Sequence, residues 1–364
     1  MKKQRFIAMI LLMIGVTIIG CAKSTENSKV IPTNNTDLVA KSVEPIQTSI
    51  QKTEKFNKFF SGTIGDEVGE KAKTFSFQMR LQRNGTDLKG KYRYSTSKSD
   101  IILNGTIDEA NKFILEETVN GKVTGKFEGE LEPETEETIK LFGVWTKAGS
   151  EEYIGFTANE IAIEFSSDVY FQTENIEERT KSRDLSIYYP QFVDGNFTKI
   201  NSLIKNEALQ YQRNFKKLQS ERNQHYSIEA GFTIHFANEN LVTIEFVDDS
   251  FSGGAHPNHA TKTLNYDLKA EKIIKLTDLF KPNSKYLEKL TLLSKEKLAD
   301  NLQFEEGINP ETKNFVNFLI TKKGLLFYFD EYQVAPYAAG RQEIVISFEE
   351  LKDFLVKKDL LLIH

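Results

Sequence analysis

Residues 112–131 read KFILEETVNGKVTGKFEGEL, two runs of alternating apolar and polar residues on either side of Asn120-Gly121. Alternation with period two turns one side of an extended chain toward a core. An Asn-Gly pair tolerates positive φ at both central turn positions, which makes it the strongest short-range hairpin signal. The same texture continues outward in both directions: FSFQMRLQ at 75–82, GKYRYST at 90–96, IILNGTID at 101–108, IKLFGVWT at 139–146 and EYIGFTA at 152–158, with glycines punctuating the runs. Residues 59–165 therefore predict an all-β antiparallel meander of seven or so strands, a small barrel or sandwich. This stretch carries 13 basic and 19 acidic residues, so most of the acidity of the chain lies on it. Glu128, Glu130, Glu132, Glu134, Glu136 and Glu137 read as a solvated strand edge and turn.

Upstream, Lys2, Lys3 and Arg5 precede an apolar run from Phe6 to Ile19, which ends in Ile18-Ile19-Gly20-Cys21. The run is shorter than the roughly 20 apolar residues a spanning helix needs. Cys21 is the only cysteine of the chain. This order resembles a bacterial lipoprotein signal. It implies removal of residues 1–20, lipidation of Cys21, and an extracytoplasmic protein held on the cell membrane or outer membrane by its acyl chains, since two or more chains anchor stably where one is marginal. Ala22, standing where an Asp would retain the protein, resembles an outer-membrane-directed signal of a two-membrane cell. Residues 21–58 are rich in Ser, Thr, Asn and Lys without a sustained apolar period, and read as a disordered tether. The net charge of −5 becomes −8 once the three basic residues of the signal are gone. An acidic surface disfavours nucleic acid and favours a cationic partner. With a single cysteine no intramolecular disulfide forms, and folding rests on apolar burial.

Downstream, residues 166–182 read as a linker or a lead-in strand, and 183–364 as an α+β domain with a mostly antiparallel sheet. Asp184–Tyr189 reads as a strand stopped by Pro190, and Asn196 as the N-cap of a long helix. On that helix Ile200, Leu203, Ile204, Ala208, Tyr211, Phe215 and Leu218 fall at helical spacing. Strands follow at 227–237, 241–251 and 260–268. A helix at about 284–302, two strands near 315–321 and 325–330, a strand at 343–347 and a last helix at 348–357 complete the domain.

Two loops stand out. Asp249-Ser250-Phe251-Ser252-Gly253-Gly254-Ala255-His256-Pro257-Asn258-His259 combines a flexible double glycine with a proline and an H-x-x-H pair, which Asp248 or Asp249 would complete as a metal site. Hydrogen-bonded loop histidines are the commoner outcome, and no metal or other cofactor is expected. Tyr332-Gln333-Val334-Ala335-Pro336-Tyr337-Ala338-Ala339-Gly340 offers rigid amphipathic rings of the kind found on recognition surfaces, although tyrosines also cap cores. The chain contains no G-x-S-x-G elbow, phosphate-binding loop or H-E-x-x-H helix. A non-catalytic protein is expected, with an enzyme acting on wall glycan through His256, His259 and nearby aspartates as an alternative.

FSGGAHPNHATKTLNYDLKAEKIIKLTDLF at 251–280 and GLLFYFDEYQVAPYAAGRQEIVISFEEL at 324–351 carry a resemblance. The stretch 184–357 resembles the extracytoplasmic domain of the lysozyme-sensing anti-sigma factor RsiV, which also accompanies the catalytic domain of some peptidoglycan deacetylases. The shared features are the G-G-A-H loop, the N-Y-D-L strand followed by L-T-D-L-F, and the Y-x-V-A-P-Y-A-x-G loop. The resemblance implies binding of a lysozyme-type muramidase. No cytoplasmic sigma-binding segment or transmembrane helix accompanies it here, so a binder or inhibitor is expected rather than a transmembrane signaller. Tyr332, Pro336, Tyr337, His256 and Asn258 are the expected ligand-binding residues. A peptidoglycan-binding or structural envelope role is the alternative.

Overall fold

The computed structural model describes residues 55–65, 74–135, 138–217 and 225–356. The signal segment, Cys21 and residues 22–54 of the expected tether lie outside the described residues. Among those described, no helix is long and apolar enough to cross a membrane.

Eight antiparallel strands form a closed barrel: β1 (Lys55–Gly65), β2 (Thr74–Asn84), β3 (Asp87–Tyr94), β4 (Ile101–Ile107), β5 (Lys112–Val119), β6 (Lys122–Pro133), β7 (Ile139–Lys147) and β8 (Tyr153–Ile161). β1 begins at Lys55, inside the stretch expected to be tether, because its residues already pair with the end of β2. Between β5 and β6, Asn120 and Gly121 adopt φ of 49° and 76°, the left-handed turn their side chains permit. Interior positions are filled by Phe60, Phe77, Leu81, Tyr92, Leu103, Leu115, Phe127 and Leu141, all fully buried. The barrel is therefore a packed core with no open lumen at this level. Closure comes from β1 pairing with β8, Phe59 opposite Ile161 through Ile64 opposite Phe156. Gly62 makes that seam possible, since a Cβ there would lie 2.0 Å from the Thr157 carbonyl oxygen.

The stretch 166–182 is built into the second domain by a full strand, β9 (Tyr170–Arg179). It pairs antiparallel with β10 (Arg183–Val193). α1 (Thr198–Lys217) then crosses over, and β11 (Tyr226–Ala237) returns parallel to β10. The helix starts two residues beyond Asn196, with the Phe197 carbonyl accepting from Asn201 N. Ile200, Ile204, Ala208 and Phe215 turn inward from it, and Phe197 packs on Phe192 and Phe165. β12 (Leu241–Phe251), β13 (Asn258–Asp267) and the two-residue β14 (Lys272–Ile273) complete a six-stranded sheet in the order β14-β13-β12-β11-β10-β9, antiparallel except for β10 and β11.

A second core forms around α2 (Tyr286–Leu298), a three-stranded sheet of β15 (Phe318–Ile320), β16 (Gly324–Phe329) and β17 (Gln342–Ser347), and the single-turn α3 (Phe348–Leu351). The last helix is thus shorter than the periodicity predicts, and Ser347 with Glu350 forms its capping box. Among the described residues strands far outweigh helices, and the C-terminal half has few helices.

The two sheets are joined by side chains acting as backbone. Asn265 of β13 is almost fully buried; its amide nitrogen donates to the Phe318 carbonyl (2.8 Å) and its oxygen accepts from Ile320 N (2.8 Å). Thr263 Oγ1 accepts from Phe318 N (3.1 Å). Replacing Asn265 with Ala strands a buried carbonyl and a buried N–H, and is expected to cost about 3 kcal/mol. Urea unfolding of N265A beside the parent chain measures this loss.

Candidate functional site

The two loops singled out in the sequence meet. β12 ends at Phe251 and β13 starts at Asn258, and the reversal between them uses Gly253 and Gly254 at φ of 94° and 114°. The second loop leaves β16 at Asp330. It is pinned from below by buried Val334 and Ala335: the Val334 carbonyl accepts from Gln303 N and Phe304 N, and the Gln333 side chain donates to the Gly307 and Asn314 carbonyls. Pinning at 333–335 leaves the flanking tyrosines outside. Tyr332 is 59% exposed and sits at φ 66°, a conformation costly for a ring-bearing residue and held here by its N–H bond to the Ala335 carbonyl.

Tyr337 is the contact between the loops. Its ring stacks on His256 with centroids 3.8 Å apart and planes at 26°. Its hydroxyl donates to the Pro257 carbonyl (3.1 Å), and His259 Nε2 lies 3.2 Å from the same oxygen. The other nitrogen of His259 bonds Asp249. Tyr332 stands 6.0 Å from Tyr337. Of the five expected ligand-binding residues, Tyr332, Tyr337 and His256 therefore form one aromatic strip, half-buried Pro336 adjoins it, and Asn258 is exposed at the start of β13 beside it. The H-x-x-H histidines are turned toward Tyr337. Among the described residues no three His, Cys, Asp or Glu side chains converge to hold a metal ion.

Further along β12 from Asp249 lies a polar cluster that the sequence reading missed. Glu245 of β12 is buried. It accepts from Tyr328 Oη (2.8 Å) of β16 and from Arg341, and it lies 2.8 Å from His235 Nε2 of β11. Arg341 also donates to Thr261 Oγ1 (3.1 Å), with its guanidinium 4.4 Å over the Tyr328 ring. Burial by itself raises the Glu245 pKa, but the His235 hydrogen bond, the Arg341 charge and the Tyr328 hydroxyl outweigh it and bring it down to about 2. The charged form is thus the native one. The only sequence signal was a glutamate inside an otherwise apolar strand, LVTIEFV, followed far downstream by an arginine after Gly340.

Asp248, also buried, has the opposite character. Burial chiefly, with the carboxylates of Asp249 and Asp330 adding repulsion against a smaller pull from His259, pushes its pKa up to about 6. Because the folded state holds this proton more tightly than the unfolded chain, the stabilisation is full below the ordinary value of 3.8 and is lost as pH rises through about 6. Asp248→Asn is therefore expected to exceed the parent in stability by on the order of 2 kcal/mol near pH 8, with the gap closing below about pH 4. Thermal unfolding across that range checks the sign.

With this geometry in hand, the C-terminal half matches two described domain classes. Residues 176–259 match the family described as deacetylase PdaC, and residues 277–349 match a protein family of unknown function, DUF3298. The chain is 31% identical over 188 residues to the peptidoglycan-N-acetylmuramic acid deacetylase PdaC of Bacillus subtilis, covering 48% of this chain and 39% of that one. It is 30% identical over 128 residues to an esterase of Mycobacterium tuberculosis, covering 33% of this chain and 56% of the relative. The chain thus spans less than two thirds of either curated relative. Among solved structures, a DUF3298-family protein of Bacteroides fragilis is similar with TM-score 0.43 and 20% identity, over 54% of this chain and 98% of that one. One from Pseudomonas aeruginosa has TM-score 0.40 and 18% identity, over 53% and 95%.

Proposed function

We propose that this chain is a non-catalytic cell-envelope protein that uses the Tyr332–Tyr337–His256 strip to bind a cationic lysozyme-type muramidase. The observation that carries the reading is the strip itself. Two loops distant in sequence are locked against each other by the Tyr337–His256 stack and the Tyr337–Pro257 hydrogen bond. Rings fixed before binding lose little entropy on docking, which is the property of residues that dominate interface energies. The net charge of −5 adds long-range attraction for a basic enzyme at low salt.

Titrating the full-length chain with lysozyme in a calorimeter tests this. Binding is expected in the micromolar range or tighter, weakened at least about tenfold by Tyr337→Ala, the effect of losing a central aromatic anchor. Absence of heat removes the muramidase as partner. A second reading, binding of peptidoglycan itself, is favoured by the similarity to a deacetylase whose named substrate is peptidoglycan N-acetylmuramic acid. Retention on purified sacculi without lysozyme binding would select it.

The basic start, apolar run and Gly20-Cys21 junction support lipidation at Cys21 as the means of holding this surface outside the cell. Cys21→Ser is expected to shift the protein from the detergent phase to the aqueous phase on partitioning and to abolish incorporation of labelled palmitate.

A further inference from the structure

The outer face of the barrel carries a cleft remote in sequence from the aromatic strip. On antiparallel strands residues two apart share a face and register partners lie side by side. The register places Arg80 opposite both Phe59 and Lys91, and Gln82 opposite both Asn57 and Lys89. Those residues form two adjacent rows on the exterior of β1–β3, while Phe60, Met79, Leu81 and Leu88 fill the interior. The segment leading into β9 folds over the rows and closes a cleft of about 240 Å³, lined by Asn57, Arg80, Gln82, Lys89, Lys91 and Asp168 among others.

The charge of this cleft runs against that of its module. Three cations line it with one carboxylate, Asp168, while Glu239 accepts from Ser166 N at its margin, on a barrel stretch that is otherwise acidic. Lys91 is satisfied, pairing with Asp168 and lying 3.3 Å from Asp100. Lys89 is exposed and makes no ion pair among the described residues. Arg80 is only 9% exposed and makes no ion pair among the described residues, although the carboxylates of Asp168 and Glu239 act on it from longer range. Its guanidinium donates to the Val169 carbonyl (2.9 Å) and lies 5.1 Å from the Phe59 ring, and its buried Nε–H has no acceptor among the described residues. A buried guanidinium with donors to spare, set directly across the ladder from a lysine, is compensated only in part by carboxylates at longer range. Arginine's planar fork matches an oxyanion, with flanking lysine and amide donors to complete its shell.

We infer that the cleft between β2–β3 and residues 166–168 binds a small ligand through an oxyanion, a carboxylate or a phosphate, with Arg80 as the central donor and Lys89 as the supplementary charge. This does not rest on the aromatic strip: a chain that ignores lysozyme can still fill this cleft.

Calorimetric titration of the full-length chain with inorganic phosphate, with N-acetylmuramic acid and with neutral N-acetylglucosamine tests the inference. Either anion is expected to bind with Kd below about 10 mM and to raise the melting temperature, with N-acetylglucosamine inert. Tighter binding of N-acetylmuramic acid than of phosphate assigns a carboxylate ligand, and the reverse order a phosphate. Arg80→Gln is expected to weaken binding at least about tenfold, as loss of a charge-assisted fork does. Because Arg80 sits at a domain junction, Lys89→Gln serves as the variant that leaves folding intact, with an expected weakening of about threefold that shrinks at high salt. Equal binding of the neutral sugar, failure of both anions to bind, or an unchanged affinity in a folded Lys89→Gln chain would overturn the proposal.

Discussion

The buried carboxylate of Glu245 is the constraint on which the C-terminal half depends. A charge taken out of water must be met by donors, and its partners come from separate pieces of the chain: His235 from a neighbouring strand, Tyr328 from the second sheet and Arg341 from the loop beyond it. Apolar packing is non-directional, whereas charge-assisted hydrogen bonds fix distance and angle. A fully bonded glutamate permits one register. Asn265 adds a second fixed point by bonding the backbone of β15, which holds the three-stranded sheet in place against β13. The loops that leave those strands inherit that precision, which is why Tyr337 finds His256.

How much of this could be read beforehand depended on whether the deciding contact was local. The β5–β6 hairpin was legible because alternation and an Asn-Gly turn are local facts. The helix after β10 was legible from the spacing of Ile200, Ile204, Ala208 and Phe215, although it begins at Thr198, one residue later than an N-cap at Asn196 implies. Closure of the barrel was not, because the pairing of β1 with β8 spans almost the whole module and its only mark is a glycine at 62. Residues 166–182 looked polar because the edge strand within them turns only a few side chains inward. The two loops were conspicuous as Gly-Gly-Ala-His and Tyr-Gln-Val-Ala-Pro-Tyr, but their contact needed the fold. Glu245 and Arg341, ninety-six positions apart, left no local trace of their pairing.

The junction between the barrel and the sheet domain follows the same logic. Gln78 exchanges two hydrogen bonds with the backbone of Phe171, and Arg93 lies 4.2 Å over the Tyr170 ring while bonding Asp100 and Asp194. Phe59 leaves the barrel's own cluster and joins the core of the neighbouring domain. Outward-facing barrel residues thus belong to the next domain's interior, and the two modules share packing through this region.

Closing the barrel also decides where copies of this protein could stick together. A cylinder has no unpaired ladder to offer, so strand-to-strand association falls to the ends of the open sheets. The outer strand β9 carries Glu174 and Glu177 at exposed positions. Two such rims brought side by side would set glutamates near glutamates, and mutual repulsion keeps crowded neighbours apart.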